Sequence, residues 1–272
     1  MSRTAWRWVL IGVSFWVLGP LAMKLMSGVR APDGGAEASL LLSESPLMAL
    51  GACAVAFALA GAAGAAGSWA FGVRTGLFVA GLVLVWPAWE GGTVLGILRR
   101  TQSVGSLRTL GFEGVVVAVA TVALGYVVAR SGAGAGGRSE GVERPRRGFE
   151  LADVVGPTVG LIVGAIGAAA TARSEMAGQV IAAAFVAGLV GTLASVLFNS
   201  RVNPAVVLSG LAMLAFIGPA SGAVIDGANA VRHVYDGTIT PLARLTPLHW
   251  AAGLLLGVPV GASWASGLVK KV

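Results

Sequence analysis

Glu90 is the residue whose type and position most strongly suggest membrane chemistry. It interrupts an apolar run within the segment Trp-Pro-Ala-Trp-Glu-Gly-Gly, which makes it the single acid that we expect at membrane depth. An acid inside a bilayer is costly and is typical of a proton or ion site. Pro87 and the two following glycines would weaken the helix there, as in the broken helices of transporters. Alternatively, the helix leaves the membrane near Trp89 and Glu90 lies in water.

A second polar group lies further along the chain, at Thr192, Ser195 and Asn199. Their spacings of three and four residues place them on one face of a helix. This face could line a polar path, with Glu90 as its charged member. The alternative is that the three side chains make hydrogen bonds between packed helices. The sequence leaves both interpretations open.

Other chemistry is weakly represented. The chain has one cysteine and two histidines, His233 and His249, so no internal disulfide or multi-cysteine metal site can form. His233 lies beside Asp236, where either an acid/base pair or a solvated loop is expected. The sequence has no phosphate-binding loop, no Gly-x-Ser-x-Gly motif and no helical His pair. We therefore predict no catalytic, cofactor-binding or metal-binding residues, and not an enzyme.

The composition defines the elements that must position these side chains. Of the 272 residues, 11% are charged and 56% are hydrophobic, and the mean hydropathy is +0.83. A soluble domain is about a quarter charged, so this composition excludes an ordinary soluble protein. The predicted fold class is all-α, a polytopic transmembrane helix bundle in the lipid bilayer. Runs of the required length of about 20 residues predict about eight spans, at 6–23, 47–67, 76–98, 112–129, 154–172, 177–198, 204–224 and 247–268.

Two of these boundaries are marked by specific residues, and two are weakly defined. Ser45-Pro46 and Asn203-Pro204 predict helix starts, with a capping residue followed by proline at the first helical position. The boundaries of the third and fourth spans are weak, because residues 99–111 could instead form an interfacial helix.

The basic residues predict the orientation. With the N-terminus inside, eleven Lys and Arg fall on the cytoplasmic side and eight outside. The basic residues are densest at 130–147, and this segment favours cytoplasmic N- and C-termini. We divide the chain into a first membrane half at 1–130, a Gly- and Arg-rich cytoplasmic linker at 131–150, and a second membrane half at 151–272. Anionic lipid is a candidate ligand of the linker residues Arg144, Arg146 and Arg147.

Small residues predict how the helices pack. Gly160, Gly164 and Gly167 share one face of the fifth predicted span, and Gly188 and Thr192 share one face of the sixth. Small faces let helices approach closely in lipid, so we expect both faces inside the bundle. The hexapeptide Phe-Val-Ala-Gly-Leu-Val occurs at 78–83 and again at 185–190. It is either a structural repeat or a product of the biased composition.

Two functions remain. The first is a non-catalytic structural or accessory membrane component, with other membrane proteins as partners. The second is a small-solute or ion permease or channel that uses Glu90 and the polar face of the sixth span. Nucleic-acid binding is excluded, because no basic domain with interleaved aromatic residues is present. The excess of Arg over Lys suggests a bacterial inner membrane.

Overall fold

A computed structural model of the chain describes residues 2–36, 38–133, 151–199 and 202–269. Within these ranges the elements are helices and their connections. The α-helices are α1 (Arg3–Val13), α2 (Gly19–Met26), α3 (Pro46–Phe71), α4 (Val73–Glu90), α5 (Val94–Thr101), α6 (Gly105–Ala133), α7 (Leu151–Thr171), α8 (Ala177–Phe198), α9 (Pro204–Ala212), α10 (Leu214–Ile225), α11 (Ala230–Tyr235) and α12 (Pro247–Val269).

The predicted fold class is confirmed. Among the described residues, eight helical segments are long and apolar enough to cross a membrane. The first consists of α1 and α2, joined without a break by the π-helical turn Ser14–Leu18. The seventh consists of α9 and α10, which continue into each other through Met213. The remaining six are formed by α3, α4 with α5, α6, α7, α8 and α12.

The third and fourth predicted spans differ from the observed helices. The third was predicted to reach residue 98, but α4 ends at Glu90, and the short helix α5 begins at Val94 after two glycines. The Thr93 hydroxyl accepts a hydrogen bond from Gly96 N–H at 3.0 Å and caps this new helix. The fourth span begins at Gly105, well before the predicted residue 112. This earlier start places a further acid, Glu113, in the interior of the helix.

The predicted helix starts are found. Pro46 and Pro204 each occupy the first turn of a helix. The Asn203 side chain accepts a hydrogen bond from Ala205 N–H at 2.9 Å, whereas the Ser45 side chain makes no capping hydrogen bond. The tight connection between α3 and α4 is made by Gly72, whose φ of 96° is strained for residues with a side chain. The two helices therefore form an antiparallel hairpin.

Helix α12 is the centre of the bundle, packed between α8 on one side and α4 on the other. Its glycines make the contact with α8 very close: a Cβ at Gly257 would lie 2.1 Å from the Phe185 carbonyl oxygen. Because α4 and α8 come from the two predicted membrane halves, both halves contribute to one hydrophobic core.

The predicted packing of small faces is confirmed for α7 and α8. A Cβ at Gly160 would meet the Ser195 hydroxyl, and one at Gly164 would lie 2.9 Å from the Ala187 carbonyl oxygen. Each copy of the hexapeptide places a glycine at a close contact between two helices. A Cβ at Gly81 of α4 would lie 2.8 Å from Leu256, and one at Gly188 of α8 would lie 3.0 Å from the backbone of Val258. Both copies thus present a glycine to the same turn of α12.

One end of the bundle carries a small second layer, which we call the cap. It consists of the connection between α2 and α3, helices α5 and α11, and the 3-10 turn Pro241–Arg244. A separate hydrophobic cluster holds it together, including Ile97, Leu98 and Val234. By the basic-residue prediction, the cap lies on the outer side of the membrane.

The opposite end is the predicted cytoplasmic side. There Arg3 donates to the Ala70 carbonyl oxygen at 2.9 Å, and Arg74 donates to the Ser266 hydroxyl at 3.1 Å. Arginines at this end tie the start of α1 to α3, and α4 to the end of α12. Most of the predicted linker, including Arg144, Arg146 and Arg147, lies outside the described residues, and the orientation itself stays a prediction.

Candidate functional site

Glu90 is the last residue of α4, and its side chain is exposed. Its neighbour Trp89 is also exposed, and Gly91 N–H closes the helix on the Pro87 carbonyl oxygen at 3.0 Å. The acid therefore lies at the cap end of the helix, exposed beside Trp89.

Thr192 and Ser195 are fully buried in helix α8. Ser195 packs against Gly160 of α7, and Thr192 packs against Gly261 of α12. Among the described residues, neither hydroxyl has a hydrogen-bond partner. Asn199 follows the last residue of α8 and is half-buried. The polar face of α8 is therefore used in contacts with the glycine faces of its neighbours.

The structure does not bring Glu90 to this polar face. A Cβ at Gly178, near the start of α8, would lie 3.0 Å from the Trp89 ring, so that end of α8 is level with the end of α4. Thr192 lies 14 residues further along α8, which at 1.5 Å per residue is about 21 Å away. Ser195 and Asn199 are farther still. Arg99, another expected partner of Glu90, instead pairs with Glu175 at 2.9 Å.

Glu113 is an acid buried in the interior of a membrane-spanning helix, and sequence analysis missed it. Its side chain is only 2% exposed and lies inside α6. Leu41 N–H, from the connection between α2 and α3, donates to Glu113 Oε2 at 3.0 Å. The predicted fourth span began at residue 112, so Glu113 was not recognised as a residue of the helix interior. The signal that could have found it is the apolar pair Leu107 and Leu110, which extends the helical pattern upstream.

Glu113 lines a cavity of 380 Å³ at the cap end of the bundle, which we call the Glu113 cavity. Its wall includes the last turn of α2, the last turn of α4 with Glu90, and the start of α12 at Thr246 and Leu248. The buried residues Ser39 and Leu40 close it on the side of the cap, and the exposed residue Arg30 also lines it. The cavity therefore contains two of the acids that the structure describes.

His249 holds the start of α12 beside this cavity. It is fully buried, and its Nδ1 accepts a hydrogen bond from Thr246 N–H at 3.1 Å. A ring nitrogen that accepts from an amide carries no proton, so the neutral ring has its proton on Nε2. Among the described residues, the buried Nε2 atom has no hydrogen-bond partner. His249 thus fixes the start of α12 through its contact with Thr246.

Of the two alternatives for His233, an acid/base pair or a solvated loop, the structure shows a contact with an acid other than Asp236. His233 Nδ1 contacts Asp226 Oδ1 at 2.8 Å, whereas Asp236 pairs with Arg232 at 3.4 Å. Asp226 also accepts a hydrogen bond from Thr240 N–H at 3.1 Å. The carboxylate therefore joins the end of α10 to α11 and to the turn before α12, which is a structural role.

The described residues contain no group of three or more His, Cys, Asp or Glu side chains that could hold a metal ion. The Glu113 cavity is the candidate functional site, because it brings a buried carboxylate together with Ser39, Glu90 and Arg30. Comparison of the chain with protein-family models, with curated proteins and with solved structures gave no match.

Proposed function

We propose that the protein is a non-catalytic structural or accessory component of a membrane, and that it acts by contact with another membrane protein. The observation that carries the proposal is the separation of Glu90 from Thr192 and Ser195 by about 21 Å or more along α8. Thr192 and Ser195 pack against glycines of α12 and α7, and this packing supports a role of the α8 face in helix contacts.

A lipid-facing groove between α6, α9 and α10 is the surface that we propose for the partner. It has a volume of 460 Å³ and is lined by apolar and aromatic side chains, including Val119, Tyr126 and Phe216. Helices associate in lipid through close packing. A concave apolar surface therefore favours a transmembrane helix of a partner protein.

Site-specific photo-crosslinking in native membranes tests this proposal. A benzophenone amino acid at Val119 should give a discrete adduct of higher mass. The matched control is Ile166 on α7, because both side chains are 64% exposed. Adducts with lipid alone at Val119, or the same protein adduct at both positions, would contradict a specific partner at the groove.

The second candidate function is a small-solute or ion permease, and Glu113 favours it. An acid inside a span is typical of ion or proton pathways, and this one lines a cavity. Purified protein in liposomes should be tested for flux of protons, sodium, potassium and small neutral solutes. The accessory function predicts the same rates as empty liposomes. Flux that Glu113→Gln abolishes would overturn the accessory function and establish the permease.

A further inference from the structure

We propose that the Glu113 cavity binds a small monovalent cation, either an alkali-metal ion or a primary ammonium group. The juxtaposition that carries this inference is a buried carboxylate, a buried hydroxyl without a partner and the carboxyl-terminal turn of a helix around one cavity. The proposal goes beyond the accessory function and does not depend on transport.

The charge of Glu113 is incompletely balanced by the protein. Its carboxylate accepts a hydrogen bond from Leu41 N–H and lies within reach of the Leu40 N–H and the Ser39 hydroxyl, but it takes part in none of the ion pairs among the described residues. A buried charge is stable only when it is paired or hydrogen-bonded. A cation in the cavity would supply the missing charge.

Ser39 provides the second observation. Its side chain is 6% exposed, lines the cavity and lies within reach of the Glu113 carboxylate, to which its hydroxyl can donate. Within the described part of the chain, its hydroxyl oxygen has no partner with hydrogen-bond geometry. A buried polar atom without a partner costs free energy. A cation between Ser39 and Glu113 would use this oxygen as a ligand.

The end of α4 adds negative potential to the same cavity. Pro87, Ala88 and Glu90 line it, so the carboxyl-terminal turn of the helix and its terminal carboxylate border the space. The carboxyl end of a helix carries a partial negative charge. Interrupted helices in transporters use such ends, with backbone carbonyl oxygens, to coordinate sodium ions.

The number of charges and the size of the cavity indicate the class of ligand. Glu113 and Glu90 face the cavity against one basic side chain, Arg30, which leaves one net negative charge. A calcium ion would need more oxygen ligands from the protein, as in oxygen-rich calcium sites. At about 30 Å³ per water molecule, the volume of 380 Å³ also has room for several waters or for the carbon chain of a small amine.

Binding of radioactive sodium to the purified full-length protein in detergent tests the proposal, with potassium and methylammonium as competitors. We expect saturable binding. Glu113→Gln should weaken it about tenfold or more, because it removes the buried charge but still accepts from Leu41 N–H. Ser39→Ala should weaken it about threefold or more through the loss of one ligand. Glu44→Gln is the matched control, because Glu44 is exposed on the same connection and does not line the cavity.

The competitors distinguish the two classes of cation, the alkali-metal ion and the primary ammonium group. Displacement by potassium assigns the site to alkali-metal ions, and displacement by methylammonium at lower concentration assigns it to an ammonium group. The proposal is overturned if none of the three cations binds saturably to the wild-type protein, or if Glu113→Gln and Glu44→Gln bind equally. If Glu113→Gln does not fold, the Ser39→Ala result decides. Failure of cation binding leaves the crosslinking test of the accessory function unaffected.

Discussion

Substitution of Gly257 by alanine should separate the two central helices of the bundle. The new Cβ would lie 2.1 Å from the Phe185 carbonyl oxygen, 2.8 Å from Leu189 N and 3.0 Å from the Gly188 Cα atom. All three neighbours are backbone atoms of α8, so no side chain can rotate out of the way. Restoring 3.0 Å to the carbonyl oxygen requires a shift of about 0.9 Å between the helices.

The expected loss follows from two opposing effects. Overpacking of a tight contact costs about 1–3 kcal/mol, and alanine is intrinsically favoured over glycine in a helix by about 1 kcal/mol. The shift also loosens the neighbouring contacts of Gly253 and Gly261 with α8, and a gap of this size forfeits a quarter to a half of each dispersion contact. We therefore expect the free energy of unfolding to fall by about 2 kcal/mol.

Titration of the detergent-solubilised protein with sodium dodecyl sulfate, followed by circular dichroism and tryptophan fluorescence, measures this change. Trp250 of α12 is fully buried and reports on the separation of the helices. Gly267→Ala is the control on the same helix, since a Cβ there would meet no atom within 4 Å. It should be neutral or stabilising by up to about 1 kcal/mol. Equal effects of the two substitutions would refute the close contact between α12 and α8.

Three further predictions concern the acids and the orientation. Glu90→Gln should leave unfolding and photo-crosslinking at Val119 unchanged, because Glu90 is exposed at the end of α4; a loss of stability would mean that it is buried. Asp226→Ala should cost about 1–3 kcal/mol in the same titration, because Thr240 N–H and His233 lose their acceptor. Asp236→Ala should cost less than about 1 kcal/mol, because its ion pair with Arg232 is in solvent, and equal losses would contradict this difference. In a Cys53→Ala background, a cysteine at Ala228 should react with an impermeant reagent outside sealed cells, and one at Ser139 should not; labelling of both would refute the predicted orientation.

The amino-acid sequence by itself determined the class of fold and most of the helices. Apolar runs of membrane-spanning length are a local property, and proline after a capping residue marks a helix start without tertiary contacts. Asn203-Pro204 and Ser45-Pro46 were therefore placed correctly. The glycine faces of α7 and α8 were also predictable, since their spacing along one helix decides which residues share a face.

Only the tertiary structure decided which acid is buried. Whether a carboxylate lies in water depends on where a helix ends and on what other segments pack against it. Glu90 became exposed because two glycines end α4 beside it, and Glu113 became buried because α6 begins early and the connection between α2 and α3 folds over it. The role of the two hexapeptide copies in helix packing also depends on α12, which contacts both and is distant in sequence from both. Contacts between segments far apart in the chain carry no local signal, so a single sequence could not reveal them.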